Sequence, residues 1–242
     1  STTAINGQKT VFNNILHAVG QFSIAGGFSA SNIAKWNGSA WSALGTGLNG
    51  AAYGIAVYGG NLYTGGEFTS AGGVANTSGI AKWNGSSWSA VGTGITGGAQ
   101  TVRSLAIYND ELYVGGLFTS AGGTSVNNIA KWNGSSWSAV GTGTNAQVNS
   151  LSVNNGDLYV SGSFSLAGGV SNTSGVAKWG TANTVSIAST TTSWTASTWY
   201  HYAVVSDGTN LKLYINGALQ STAASPITLA NSSVALKIGR TY

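Results

Sequence analysis

Acid–base or metal chemistry in this 242-residue chain must be built from five acids and two histidines: Glu67, Asp110, Glu111, Asp157 and Asp207, with His17 and His201. Glycoside hydrolysis needs two opposed carboxylates, one of them holding its proton for the leaving oxygen. The spacing proposes no such pair. Asp110 and Glu111 are adjacent and fall at an Asn109-Asp110 turn, where solvated carboxylates are expected. Asp157 reads as the corresponding turn one repeat later, and Glu67 stands alone, with Leu117 at its position in the next repeat. Neither histidine has a partner at metal-ligand spacing. The absence of cysteine excludes disulfides, thiolate metal sites, Fe–S clusters and cysteine nucleophiles. The segment Asp207-Gly-Thr-Asn210 offers oxygen atoms of the kind calcium takes, but reads as a plain β-turn. We therefore expect no catalytic residue, no metal and no cofactor, and a chain that is not an enzyme.

Recognition chemistry is better supplied. There are 9 Trp and 10 Tyr residues among abundant Asn, Ser, Thr and Gly, the mixture that stacks on and hydrogen-bonds to sugars. Most of these aromatics recur with a repeat, so packing explains them first. Trp194 and Trp199 do not recur and are candidate ligand-binding residues. Asn76, Asn127 and Asn172 join them, because they sit in or beside the polar loops 69–78, 119–126 and 165–173, which are equivalent by position. Equivalent loops on one rim are where a repeat protein binds a ligand. Lys35, Lys82, Lys131 and Lys178 also recur. They would form a basic ring that grips anions, or would lay their stems along neighbouring repeats with the ammonium in water. The second reading is preferred.

Charge narrows the partners. Nine basic and five acidic residues leave a net charge of +4, and the pI of 9.3 reflects scarce acids rather than a basic patch. Nucleic acid is not an expected partner. No apolar run reaches the length of a membrane span.

The elements that must hold these residues are set by an internal repeat. Asn32-Ile-Ala-Lys-Trp-Asn-Gly-Ser-Ala-Trp-Ser-Ala-Leu-Gly-Thr-Gly47 returns at 80–94 and 129–143, and a fourth copy opens at Val176-Ala-Lys-Trp179 before diverging. Trp36, Trp83, Trp132 and Trp179 are 47, 49 and 47 residues apart. A second motif precedes each copy: Phe22-Ser-Ile-Ala-Gly-Gly-Phe28, Leu62-Tyr-Thr-Gly-Gly-Glu-Phe68, Leu112-Tyr-Val-Gly-Gly-Leu-Phe118 and Leu158-Tyr-Val-Ser-Gly-Ser-Phe164. Each repeat reads as four short strands; in the third they are 102–108, 111–118, 128–132 and 136–140. Asn-Gly between two apolar strands signals a two-residue hairpin. That turn at Asn37-Gly38 places Trp36 opposite Ser39 and Ala34 opposite Trp41, so Trp36 and Trp41 become diagonal neighbours on one face. Asn-Gly-Ser at 37, 84 and 133 is also a glycosylation sequon, for which the turn role is sufficient.

Four-stranded repeats that are apolar on both faces must stack on copies of themselves. With the Gly-Gly motif and the downstream tryptophan pair, residues 11–180 resemble the kelch and galactose-oxidase-like β-propeller family. The resemblance implies blades at about 11–47, 51–94, 101–143 and 148–180, the last lacking a recognisable fourth strand. The copper chemistry of galactose oxidase requires a cysteine-modified tyrosine and is excluded. Farther on, Trp199-Tyr-His-Tyr-Ala-Val-Val-Ser-Asp-Gly-Thr-Asn-Leu-Lys-Leu-Tyr-Ile-Asn-Gly-Ala-Leu219 and Leu236-Lys-Ile-Gly-Arg240 resemble the central strands of a laminin-G-like (concanavalin-like) jelly roll.

The expected fold is therefore all-β: a propeller-type stack of four-stranded blades over 1–180, then a partial laminin-G-like segment over 181–242. The two resemblances imply an extracellular or virion-surface adhesion module whose partner is a glycan or cell-surface polymer. The alternative is a structural subunit of a filament that self-associates by strand-edge complementation. Both leave room for a longer chain or assembly.

Overall fold

A computed structural model describes residues 8–171, 173, 175–179, 202–206, 210–215 and 218–224. The described residues are all-β, with no helix, and the chain divides into two compact units, 1–180 and 181–242.

The first unit holds the four repeats. Repeat one contains β1 (Lys9–Phe12), β2 (Ile15–Val19), β3 (Ile24–Ala25), β4 (Phe28–Ser29), β5 (Ile33–Trp36) and β6 (Trp41–Ala43). Its sheet runs β1-β2-β5-β6, with β3 and β4 as a separate ribbon. Repeat two is the meander β7 (Ala52–Tyr58), β8 (Asn61–Gly66), β9 (Ile80–Trp83) and β10 (Trp88–Ala90), followed by β11 (Ile95–Thr96). Repeat three has β12 (Thr101–Tyr108), β13 (Glu111–Leu117), the short β14 (Ser120–Ala121) and β15 (Thr124–Ser125), then β16 (Ile129–Trp132) and β17 (Trp137–Ala139). Repeat four has β18 (Val148–Asn154), β19 (Asp157–Gly162), the ribbon β20 (Leu166–Ala167) and β21 (Val170–Ser171), and β22 (Val176–Trp179). Among the described residues its main sheet stops at three strands, β18-β19-β22, and no sheet closes into a ring. The second unit contributes an antiparallel meander, β23 (Tyr202–Ser206), β24 (Asn210–Ile215) and β25 (Ala218–Ala224).

Turn chemistry sets the register. The first hairpin of every repeat turns on two residues of positive φ: Asn13-Asn14, Gly59-Gly60, Asn109-Asp110 and Asn155-Gly156. This is the primed geometry whose twist matches the strands, and it is open to Asn, Asp and Gly. It pairs Phe12 with Ile15, Tyr58 with Asn61, Tyr108 with Glu111 and Asn154 with Asp157.

The Asn-Gly hairpins behave differently, which corrects the expected register. Asn37 Oδ1 accepts the N–H groups of Ser39 at 2.9 Å and Ala40 at 2.8 Å. The Asn37 N–H donates to the Ala40 carbonyl at 3.2 Å, so the loop spans four residues rather than two. Trp36 consequently lies directly opposite Trp41, and Ala34 opposite Ala43. A shift of two residues preserves the face, so the tryptophans still share one side, with ring centroids 5.5 Å apart. The same pairing gives 5.2 Å for Trp83–Trp88 and 5.3 Å for Trp132–Trp137. Diagonal aromatic pairs do occur, but across the first hairpin: Tyr58–Tyr63 at 5.8 Å and Tyr108–Tyr113 at 5.5 Å.

Glycine on the second strand governs how closely repeats approach. A Cβ on Gly65 would strike Val102 of the next repeat, and one on Gly115 would strike Val148. Where repeat one meets repeat two the volumes are exchanged: Val19 stands at the glycine position and Ala52 at the valine position, in one buried cluster. At Ser161, the corresponding position of repeat four, the residue is half-buried. The second glycine serves its own repeat, since a Cβ on Gly116 would overlap the Thr101 carbonyl beside the bulge between Val102 and Ser104. That clash involves backbone on both sides and has no soft way out. Gly116→Ala is expected to cost about 1–3 kcal/mol of stability, measured by urea denaturation; an unchanged midpoint would show that the bulge relaxes freely.

Candidate functional site

The polar loops singled out as a candidate rim join neighbouring repeats. Strand β14 of repeat three pairs with β11 at the exit of repeat two. Isolated bridges repeat the arrangement, Leu48 with Ala71 and Thr144 with Ala167. In each case a loop glycine donates its N–H to the end of the preceding repeat: Gly72 to Gly47, Gly122 to Gly94 and Gly168 to Gly143, all at 2.8 Å.

Side chains complete the seam. Trp88 Nε1 donates to the Leu44 carbonyl of repeat one at 3.1 Å, and Trp137 Nε1 to the Val91 carbonyl of repeat two at 3.0 Å. Both indoles are buried. Asn49 Oδ1 accepts from Thr69 and Ser70 N–H, and Asn145 Oδ1 from Ser165 and Leu166 N–H. Asn128, at a left-handed φ of 62°, accepts from Phe118 N–H and donates to the Thr144 carbonyl at 2.9 Å. Asn32 does the same for Phe22 and Leu48, while Gly79 takes this backbone position in repeat two. Sequence reasoning missed these asparagines because their partners lie ten to twenty-one residues away along the chain, brought near only by the fold.

The candidate residues fall out as follows. Asn76 is exposed, at a φ of 60°, in the loop of repeat two. Asn127 is exposed, and its amide donates to the Thr142 carbonyl at 2.9 Å, so its donor is engaged in the seam. The two sit on different seams. Asn172, Trp194, Trp199, His201 and Asp207 lie outside the described residues.

The acids also move from their expected places. Asp157 is equivalent to Glu111 rather than Asp110: both open the second strand, facing a lysine on the third. Lys131 pairs with Glu111 at 2.7 Å and Lys178 with Asp157 at 3.0 Å. The bond to Glu111 holds the Lys131 ammonium above its ordinary range despite the opposing effect of burial. The lysines thus split: the last two have cross-strand partners, and among the described residues Lys35 and Lys82 have no acidic one. A ring of four free cations is not what repeats three and four present.

One polar group was not anticipated. Tyr53 and Arg103 are the extra residues of two equivalent bulges, and Asn149 that of a third. The Arg103 guanidinium carbon lies 4.8 Å from the Tyr53 ring centroid. Burial raises the Tyr53 phenol, and its hydrogen bond to Glu67 raises it further. Arg103 Nε is buried without a partner. Bulges re-aim side chains, and here they bring an aromatic face, a guanidinium and a carboxylate together across repeats two and three.

His17 is buried on β2, donates through Nδ1–H to the Ile15 carbonyl at 2.9 Å, and meets Phe12 edge-on. Burial pushes its pKa below 6.5, the Ile15 bond opposes this, and Lys35 directly across the ladder pushes it lower still. The remaining opening of note is a cavity of about 420 Å³ between repeats three and four, lined by Val140, Gly168, Ala177 and Trp179 among others.

Comparison with known proteins bears on the second half of the chain. Residues 130–242 match a laminin-G model of the concanavalin A-like lectin/glucanases superfamily. The match begins inside β16, so it reaches farther back than the segment from about 184 recognised in the sequence. No curated protein matches the chain. Among solved structures it is similar to the computationally designed Ika8 protein, at 12% identity and a TM-score of 0.32, over 89% of this chain and 73% of that one.

The His17 environment predicts a pH dependence. A folded-state pKa below the unfolded one means that the unfolded chain binds the proton first. The contribution is complete above about pH 6.5 and is lost as the pH falls below it. The melting temperature should fall between pH 7.5 and 5.5, and His17→Gln should flatten that slope; an identical slope in the variant would exclude His17 as its source.

Proposed function

We propose that this chain is a non-enzymatic recognition module of an extracellular or virion surface, which adheres to glycans or a cell-surface polymer. The observation that carries the reading is the match of residues 130–242 to the concanavalin A-like lectin/glucanases superfamily. The repeats support it in a different way. In this reading they are propeller-type blades of the kelch and galactose-oxidase-like kind, a rigid platform in which the seam asparagines and tryptophans are spent on cohesion. Contacts to sugar then come from residues outside the seams, with Tyr53, Arg103 and Glu67 as one described group that combines an aromatic face with both charges. No helix among the described residues is long and apolar enough to cross a membrane.

One observation favours the second reading, a structural subunit that assembles by strand-edge complementation: among the described residues the fourth main sheet ends at β22. Unpaired edges template further strands.

The test is a glycan array with the intact chain, its folding verified by circular dichroism, and in parallel an assay for reducing ends released from polysaccharides. Saturable binding of a glycan class without release of reducing ends is expected. Silence across the array from folded protein would overturn the glycan reading, and catalytic release of reducing ends would overturn the non-enzymatic one.

A further inference from the structure

We propose that Tyr53, Arg103 and Asn149, with Glu67 beside them, form a binding row for a saccharide that bears a carboxylate, and that the Arg103 guanidinium takes the acid group. This rests on the glycan reading and names the class of sugar.

The repeats themselves mark the row. Positions that packing fixes recur: Ala-Lys-Trp on the third strand is present four times, and the first strand carries a buried aliphatic residue at Ile55, Leu105 and Leu151. Two residues earlier, the extra residue of the bulge is Tyr, then Arg, then Asn. An extra residue has no partner in the ladder, so pairing places no demand on its type. First strands of neighbouring repeats lie side by side: a Cβ on Gly54 would meet Leu105, and Leu151 N–H donates to Ser104 Oγ at 3.0 Å. The three bulges therefore succeed one another along repeats two to four.

Arg103 is the member whose charge the protein does not answer. Its guanidinium carbon sits over the Tyr53 ring at 4.8 Å, a stack that holds the planar group in place. Among the described residues no hydrogen bond or ion pair engages the guanidinium. The acids of the first unit are committed elsewhere. Glu111 and Asp157 pair with lysines, Glu67 lies beside the Tyr53 phenol, and Asp110 forms a turn at positive φ. A guanidinium has five N–H donors and keeps its charge, and donors left unpaired in a half-buried cation cost stability. Of its nitrogens only Nε is buried without a partner, which leaves the two terminal ones to meet a ligand.

These groups select the ligand. Two N–H donors side by side match the two oxygens of a carboxylate. Glu67 is exposed and accepts from sugar hydroxyls. Asn149 is exposed, and its Oδ1 is taken by Gln147 at 2.6 Å, so it offers its amide N–H groups. Like-charge repulsion from Glu67 sets the orientation, with the acid group at Arg103 and hydroxyls at Glu67.

The test is an array of uronate and sialic-acid glycans, set beside their methyl esters and beside sulfated and neutral sugars, and probed with the full chain and with Arg103→Met. Methionine keeps an apolar stem on Tyr53 and removes the unpaired donors. The acids should bind about tenfold or more tightly than their esters, and Arg103→Met should erase that margin. The melting temperature of the variant should be equal or higher, because no protein partner of the guanidinium is lost. A lower one would make Arg103 a structural residue and overturn the site. Equal binding of acid and ester, a preference for sulfate over carboxylate, or an acid preference that survives in Arg103→Met would each overturn the site and leave the glycan reading standing. Silence of the folded chain on every glycan would overturn both.

Discussion

An indole N–H reaching across a seam to a carbonyl of the preceding repeat is the interaction on which this architecture rests. Each sheet is too small to bury two apolar faces alone, so stability must come from neighbours. Trp88 and Trp137 fill the gap between sheets with apolar area and give their buried indole N–H a backbone acceptor on the preceding repeat. The surrounding glycines follow from this. Gly72 and Gly122 lack a side chain because the indole lies against them, and Gly65 and Gly115 lack one because the next repeat's valine does. The loops carry polar residues for the same reason, since Asn49, Asn128 and Asn145 stitch loop to loop.

That economy has a consequence for function. Features that look like a binding rim in one dimension, namely equivalent loops rich in Asn, Ser and Thr, also hold repeat to repeat in three. In the recognition reading proposed above, contacts also draw on what the seams leave over. The bulge residues Tyr53 and Arg103 are one such remainder, and the ends of the stack are another. In repeat one Trp41 rests on its own loop Gly26, as Trp88 rests on Gly72, without a seam bond from its N–H among the described residues. Ile24 and Phe28 there are 53% and 56% exposed.

The repeat, the strand order and the face on which the tryptophans meet were legible in the sequence, because period-two alternation and turn residues are local signals. The hairpin register was not. Asn-Gly suggests a two-residue turn, but the Asn37 side chain caps a four-residue loop, a choice that depends on the Ser and Ala behind it. The place of Asp157 was misjudged by one position for a related reason: Asn155-Gly156, not Asp157, makes the turn, which frees the acid to meet Lys178. The roles of Asn32 and Asn128 were illegible, since each acts on a segment ten or sixteen residues away that only the folded repeat brings near. The concanavalin-like character of the C-terminal half was readable from its strand motifs, though its reach back to residue 130 was not.

The central claim, that the seam indole holds one repeat to the next, has a control within the molecule. Trp41, Trp88 and Trp137 share one sequence context, yet among the described residues only the last two donate to a carbonyl of the repeat before. The decisive measurement is the unfolding free energy of the three Trp→Phe variants. Trp88→Phe and Trp137→Phe should each lose about 1–3 kcal/mol through the missing hydrogen bond and the smaller ring, and Trp41→Phe under about 1 kcal/mol. Equal losses at all three positions would contradict the account, because the seam bond would then contribute nothing that the tryptophan pair within each repeat does not.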